Sequence, residues 1–291
     1  MMLSAPRRLL LVHAHPDDES LTTGGTIARY AAAGAHVSLV TCTLGEEGEI
    51  IPDSLAQLAS AASDQLGGYR VGELRQACEA LGVADHRYLG GIGRWRDSGM
   101  AGTATNEHPR AFVAGDLAEQ ALALREVLDQ VRPQVVVTYG PDGGYGHPDH
   151  VRAHEITMAA TAESPYVERV FHTVASRSAT AAGVAALSTV DNLPYRLPKS
   201  DELPVVEDDE ITTVIGIADS VPAKVRGLRA HATQISFTEL EDGVPCYALS
   251  NGVAQPVLDA EYYVLATGDP EGAADDLFGG LASTVDTGAP R

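Results

Sequence analysis

Two short stretches of this 291-residue chain hold the residue types that a divalent metal and a proton-transfer group require. The first is His15-Pro16-Asp17-Asp18, followed by Glu19; the second, His147-Pro148-Asp149-His150, repeats the same histidine-proline-acid grammar far downstream. Pro16 fixes its local backbone, and an imidazole with a carboxylate three residues on can point to one side of a tight turn. The second stretch closes a Gly-rich run from Tyr139 to Gly146 that permits close backbone approach. Two histidines and one carboxylate, with a position left open to water, is a catalytic zinc composition and suits iron(II) equally. Each residue also has an ordinary reading: Asp17 or Asp18 as a helix N-cap, His147 as a solvated loop side chain, Asp149 as a helix entry. Those readings would have to hold independently for several residues that all fall at strand ends, which favours a metal site.

The elements that must position these stretches are legible from periodicity. Arg8 to His13, with its aliphatic Leu9-Leu10-Leu11-Val12, reads as a buried parallel strand, and residues 20–33 keep helical spacing up to a Gly34 C-cap. Residues 36–42 form a second strand, a helical pattern covers 55–81, residues 87–89 are a third strand, 117–131 an amphipathic helix and 134–138 a fourth strand. Such alternation predicts an α/β fold: a Rossmann-like, mostly parallel sheet with helices on both faces. Both chemical stretches then lie at carboxyl ends of strands, where open α/β sheets keep their ligands. The loops after the second and third strands are long enough to belong to the binding rim.

The second half is less regular. Residues 166–173, 212–217 and 261–266 read as strands and 220–233 as a helix, with an exposed Pro-rich connection around 190–205 and a frayed tail from Gly280. The expected organisation is a metal-binding catalytic domain over residues 1–175 and a smaller, dependent C-terminal α/β portion over 176–291 that completes the pocket.

Composition excludes several partners. Forty acidic against 20 basic residues give a formal charge of −20, which repels nucleic acid and anionic lipid. No apolar run approaches a membrane span or a secretory signal, and the widely spaced Cys42, Cys78 and Cys246 read as reduced, buried hydrophobes. A cytoplasmic enzyme with a small-molecule substrate is expected, with neither nucleic acid nor membrane as partner.

The paired motifs resemble the signature of the PIG-L/LmbE-type family of zinc-dependent N-acetylglucosamine deacetylases. Thr41-Cys42-Thr43-Leu44-Gly45-Glu46-Glu47-Gly48-Glu49, Gln65 to Arg70, Gly93 to Met100 and Ala230-His231-Ala232-Thr233-Gln234 resemble its mycothiol-biosynthesis branch, which deacetylates N-acetylglucosaminyl-inositol, a pseudo-disaccharide. The resemblance is tight over residues 8–155, resumes over 220–266 and is loose between. It implies one Zn2+ per subunit, with Fe2+ as an alternative, held by His15, Asp18 and His150. It further implies Asp17 as general base, His147 at the developing oxyanion and leaving amine, Tyr145 as a mobile contact to the amide carbonyl, and Asp149 orienting His147. Arg70, Asp97, Glu47 and Met100 would contact substrate.

Those roles are chemically sensible on their own terms. Amide hydrolysis needs a strong nucleophile at neutral pH, and a metal supplies one by lowering the pKa of water to about 7. Asp17, adjacent to a ligand but not itself bound, can accept that water's proton, and either it or His147 can protonate the amine. Trp95 can stack on a sugar or pack under its loop. His13 and His231 read as structural.

Three other readings compete. A mycothiol S-conjugate amidase shares the scaffold, but that relative usually carries a lysine shortly after the acidic cluster, where this chain has Ser20-Leu21-Thr22-Thr23. A nucleotide-binding oxidoreductase would need a Gly-rich turn after the first strand, whereas the acids there repel a pyrophosphate. A sugar-binding module with a structural metal has no use for Asp17.

Overall fold

The structure is a computed structural model that describes residues 6–239 and 245–281. Its elements run β1 (Arg8–His13), α1 (Asp18–Thr22), α2 (Gly24–Ala32), β2 (His36–Thr41), α3 (Leu66–Leu81), β3 (Asp85–Tyr88), α4 (Leu117–Val131) and β4 (Val135–Tyr139). There follow α5 (Pro148–Thr161), β5 (Arg169–Val174), α6 (Arg177–Leu187), β6 (Thr213–Gly216), α7 (Val221–Ala230), β7 (Ser236–Glu239), β8 (Pro245–Ala248), β9 (Gln255–Pro256) and β10 (Ala260–Thr267). One seven-stranded sheet has the order β3-β2-β1-β4-β5-β10-β6, and β7-β8-β9 form a small second sheet. The first five strands are parallel, while β10 runs antiparallel to both β5 and β6.

Side chains alternate across β1, so its aliphatic run feeds two cores. Leu10 and Val12 pack with Leu124, Leu128, Ala153 and Ile156 of α4 and α5, whereas Leu9 and Leu11 pack with Ile27, Leu74, Cys78 and Leu81 of α2 and α3. Helices therefore cover both faces of a mostly parallel sheet, as predicted. The chain leaves β1 towards β2 on one side, and β4 pairs with β1 on the other, Leu9 opposite Val135 and Leu11 opposite Val137. The carboxyl ends of β1 and β4 thus open a crevice at the point where the strand order reverses. The strands β6 and β10 continue the same sheet, so Thr213–Gly216 and Ala260–Thr267 are integral to it.

Some expectations are corrected. The helix expected over 20–33 breaks at Thr23, whose hydroxyl pairs with His13 Nε2 (3.0 Å) and donates to the Glu19 carbonyl (3.1 Å). Glu261 then accepts from the amides of Gly25 and Thr26 (2.9 and 2.8 Å), capping α2 from β10. At Gly25 a side chain would meet Ile217, its Cβ lying 2.2 Å from Ile217 Cδ1. The helix expected from residue 55 is regular only from Leu66; a short 3-10 helix, Asp53–Leu58, precedes it. The helix α6 and the strands β7 to β9 were not read from the sequence, and the tail beyond residue 281 lies outside the described residues.

Candidate active site

The loops after β1 and β4 bring the two chemical stretches together. His15 Nδ1 lies 3.3 Å from His150 Nε2 and 3.4 Å from Asp18 Oδ2, and Asp18 Oδ1 lies 3.4 Å from His150 Nε2. A tetrahedral ion with bonds of about 2.0–2.1 Å has donor-donor edges of about 3.3–3.4 Å, and each of these separations, one to either oxygen of Asp18, is of that size. The tautomers agree. His150 Nδ1 faces the Gly143 carbonyl at 3.1 Å and His15 Nε2 faces Asp149 Oδ2 at 3.2 Å, so each ring donates outward and turns a lone pair inward. Three acceptors converging on one point, all buried, call for a cation between them. Burial works against a charged His15, yet Asp97, Asp149 and Asp18 outweigh it and push its pKa well above the ordinary value: the pocket attracts positive charge. His147 offers a further ring nitrogen within 4.8 Å of those of His15 and His150. A small divalent cation fits His15, Asp18 and His150.

These donors are held from behind by Tyr139, the last residue of β4. Its hydroxyl donates to Asp18 Oδ2 (2.7 Å) and accepts from the Ala14 amide (2.8 Å), and its ring stacks on His150 with centroids 4.1 Å apart. Burial opposes ionisation of Asp18, but His150 and His15 hold it well below the usual carboxylate range. Tyr139 escaped the sequence reading because an apolar strand ending in tyrosine reads as core; the signal lay in its being the last strand residue before a Gly-rich loop.

Asp17 sits beside Asp18 with φ 120° and ψ −31°, outside the regions open to ordinary residues and the sort of strain, about 1–3 kcal/mol, that collects at functional sites. Arg70, from α3, donates to Asp17 Oδ2 (3.0 Å), to the Gly45 carbonyl (2.7 Å) and to the Pro16 carbonyl. Burial pushes the Asp17 carboxyl up, Arg70 pulls it down and Asp18 adds to the rise, for a value of about 6. That is the range a general base working near neutral pH needs.

His147 caps α5, its Nδ1 accepting from the Asp149 amide at 3.2 Å, which leaves the ring proton on Nε2. Burial, with His15 and His150 beside it, lowers its pKa to about 3. The carboxylate of Asp149 does not orient His147 as expected. It accepts instead from His15 and from the Ser98 amide (2.9 Å), because the first turn of α5 points that side chain into the sheet while its backbone faces the cap. Tyr145 is 55 % exposed at the mouth, its ring centroid 5.0 Å from that of His150.

Of the expected substrate contacts, Arg70 lines a cavity of about 570 Å³ that also reaches His15, Asp17, Tyr145, His147, Lys224 and Tyr262. The other three are placed elsewhere. Asp97 is buried, accepts from the Glu47 and Gly99 amides (3.2 and 2.8 Å) and lies 3.5 Å from His15 Nε2. The Glu47 carboxylate is held by Arg96 (2.8 Å) and Ser60 (2.7 Å), and Met100 is exposed away from the cavity lining. Trp95 packs on Phe112 in the core beneath its loop.

Comparison with known proteins fits this geometry. A 1D-myo-inositol 2-acetamido-2-deoxy-alpha-D-glucopyranoside deacetylase from Actinosynnema mirum is 65% identical over 281 residues, covering 97% of this chain and 99% of its own. Among solved structures, an N,N'-diacetylchitobiose deacetylase from Pyrococcus horikoshii superposes with a TM-score of 0.52 at 19% identity, over 78% of this chain and 70% of its own. A 4-carboxy-2-hydroxymuconate hydratase from Pseudomonas putida does so with a TM-score of 0.53 at 19%, over 78% and 80%. One fold thus carries two different reactions, and the architecture alone does not name this one. The model of the family described as PIG-L, GlcNAc-PI de-N-acetylase, matches residues 10–161, which hold the whole donor triangle. The chain belongs to the PIG-L family.

Proposed function

We propose that this chain is a metal-dependent amidohydrolase that removes the acetyl group of N-acetylglucosaminyl-inositol (1D-myo-inositol 2-acetamido-2-deoxy-alpha-D-glucopyranoside). The products are acetate and glucosaminyl-inositol, in mycothiol biosynthesis. The observation that carries the reading is near-full-length identity of 65% with a relative named for that reaction, in a chain whose donor triangle and unligated Asp17 suit amide hydrolysis.

The metal would be held by His15, Asp18 and His150, with zinc fitting the donor set and iron(II) an alternative. When bound, it lowers the pKa of water and polarises the amide carbonyl. Asp17 accepts the proton of the attacking water and returns it to the leaving amine. His147, with its proton on Nε2, donates to the oxyanion as it develops, and Tyr145 at the mouth contacts the same oxygen. Arg70 fixes the Asp17 carboxylate and, as part of the cavity wall, is the remaining candidate for a contact to substrate. The C-terminal portion completes the pocket rather than forming an independent unit, with Lys224, Tyr247 and Tyr262 part of its wall. The three cysteines are free and buried, in keeping with a cytoplasmic enzyme.

The test is metal analysis of the purified protein followed by parallel amine-release assays on N-acetylglucosaminyl-inositol and on a mycothiol S-conjugate. A higher kcat/KM for the first is expected. A higher value for the conjugate would reassign the substrate, and no release from either by the metal-loaded protein would remove the hydrolase reading.

A further inference from the structure

Glu19 and His231 form a fully buried ion pair that the reaction does not use. His231 Nε2 lies 2.7 Å from Glu19 Oε1, which also accepts from Ser20 Oγ at 2.6 Å. Such a pair, shut away from water, is weak evidence of a gain in stability over an apolar pair, which directs attention to what it holds in place. What it holds is visible at the other carboxylate oxygen: Glu19 Oε2 accepts from the Asp17 amide at 3.0 Å. That amide belongs to the residue with φ 120°.

The support continues behind His231. The turn that carries it, between α7 and β7, is tied to α3, where Glu73 accepts from the amide and hydroxyl of Thr233 at 2.8 and 2.6 Å. The same helix carries Arg70, which binds the Asp17 carboxylate. Asp17 is therefore fixed at both ends by α3: its side chain directly through Arg70, its backbone through Glu73, the 231–234 turn, His231 and Glu19. With the amide released, the backbone would be free to relax to an ordinary φ and swing the carboxylate away from the donor triangle.

We propose that Glu19 and His231 are positioning residues for catalysis, which hold the Asp17 backbone in its strained positive-φ conformation and so aim the general base. The inference rests on the reading of Asp17 as base. It makes the C-terminal part of the chain a determinant of turnover through a residue that does not touch substrate.

The test compares His231→Gln, His231→Leu, Glu19→Gln and Asp17→Asn for kcat, KM, bound metal and Tm. His231→Gln keeps a donor for Glu19, and Glu19→Gln keeps an acceptor for the Asp17 amide. Both should hold kcat within about threefold of the parent. His231→Leu should lower kcat at least tenfold while KM stays within about twofold and bound metal is unchanged. Should His231→Leu not fold, the two glutamine variants decide: a loss of kcat in both as large as that of Asp17→Asn overturns the proposal. So does full kcat in a folded His231→Leu protein, or equal losses in His231→Leu and His231→Gln that follow Tm. Undiminished kcat in Asp17→Asn would instead remove the base reading itself, whatever the other variants do.

Discussion

Tyr139 donates its hydroxyl hydrogen to Asp18 Oδ2 at 2.7 Å, and the same ring lies flat against His150. One side chain at the end of β4 thus orients two of the three proposed metal donors, one by a hydrogen bond and one by stacking. Its contribution should appear in metal affinity more than in chemistry.

Tyr139→Phe keeps the stack and loses the hydrogen bond. Its metal affinity, measured by competition with a chromophoric chelator, should fall about ten- to hundredfold, the usual effect of losing an outer partner of a ligand. At saturating metal its kcat should stay within about threefold. Unchanged affinity would remove Tyr139 from the metal site.

Asp17 and His15 should separate chemistry from metal binding. Asp17→Asn should retain its metal and lose about 10²- to 10⁴-fold in kcat, the range of a general base. His15→Ala should be purified largely metal-free and inactive. A metal-free Asp17→Asn would make Asp17 a ligand.

Gly45 leaves the space that Arg70 fills. A Cβ there would lie 2.1 Å from Arg70 Nη1, and the backbone has φ +68°. Gly45→Ala should displace the guanidinium from Asp17, lowering kcat and costing about 1–3 kcal/mol in chemical denaturation. A stable, fully active Gly45→Ala protein would show that Arg70 is not needed where it stands.

Glu47 tests a residue that the family resemblance assigns to substrate and the structure ties to Arg96. Glu47→Gln should leave KM within about twofold while lowering Tm by a few degrees, because it weakens a mostly buried ion pair. A KM raised tenfold at unchanged Tm would return Glu47 to the substrate.

The sequence by itself determined the sheet and the place of the site on it. Aliphatic runs such as Leu9 to Val12 and Val135 to Val137 can be satisfied only between two helical layers, and the acids and histidines that follow them must then fall at one edge. The histidine-proline-acid grammar likewise marks His15 to Asp18 and His147 to His150 as the two stretches that meet at that edge. Tertiary structure alone decided which atoms face which. Asp149 turned to His15 because a helix entry commits its backbone to His147, and Glu47 turned to Arg96 because two distant loops meet there. Glu19 and His231 lie far apart in the chain and meet only because α7 packs against α1 as well as across α3. Local spacing sets the direction of a strand or helix, but the partner of a buried charge is chosen by whatever the fold brings beside it.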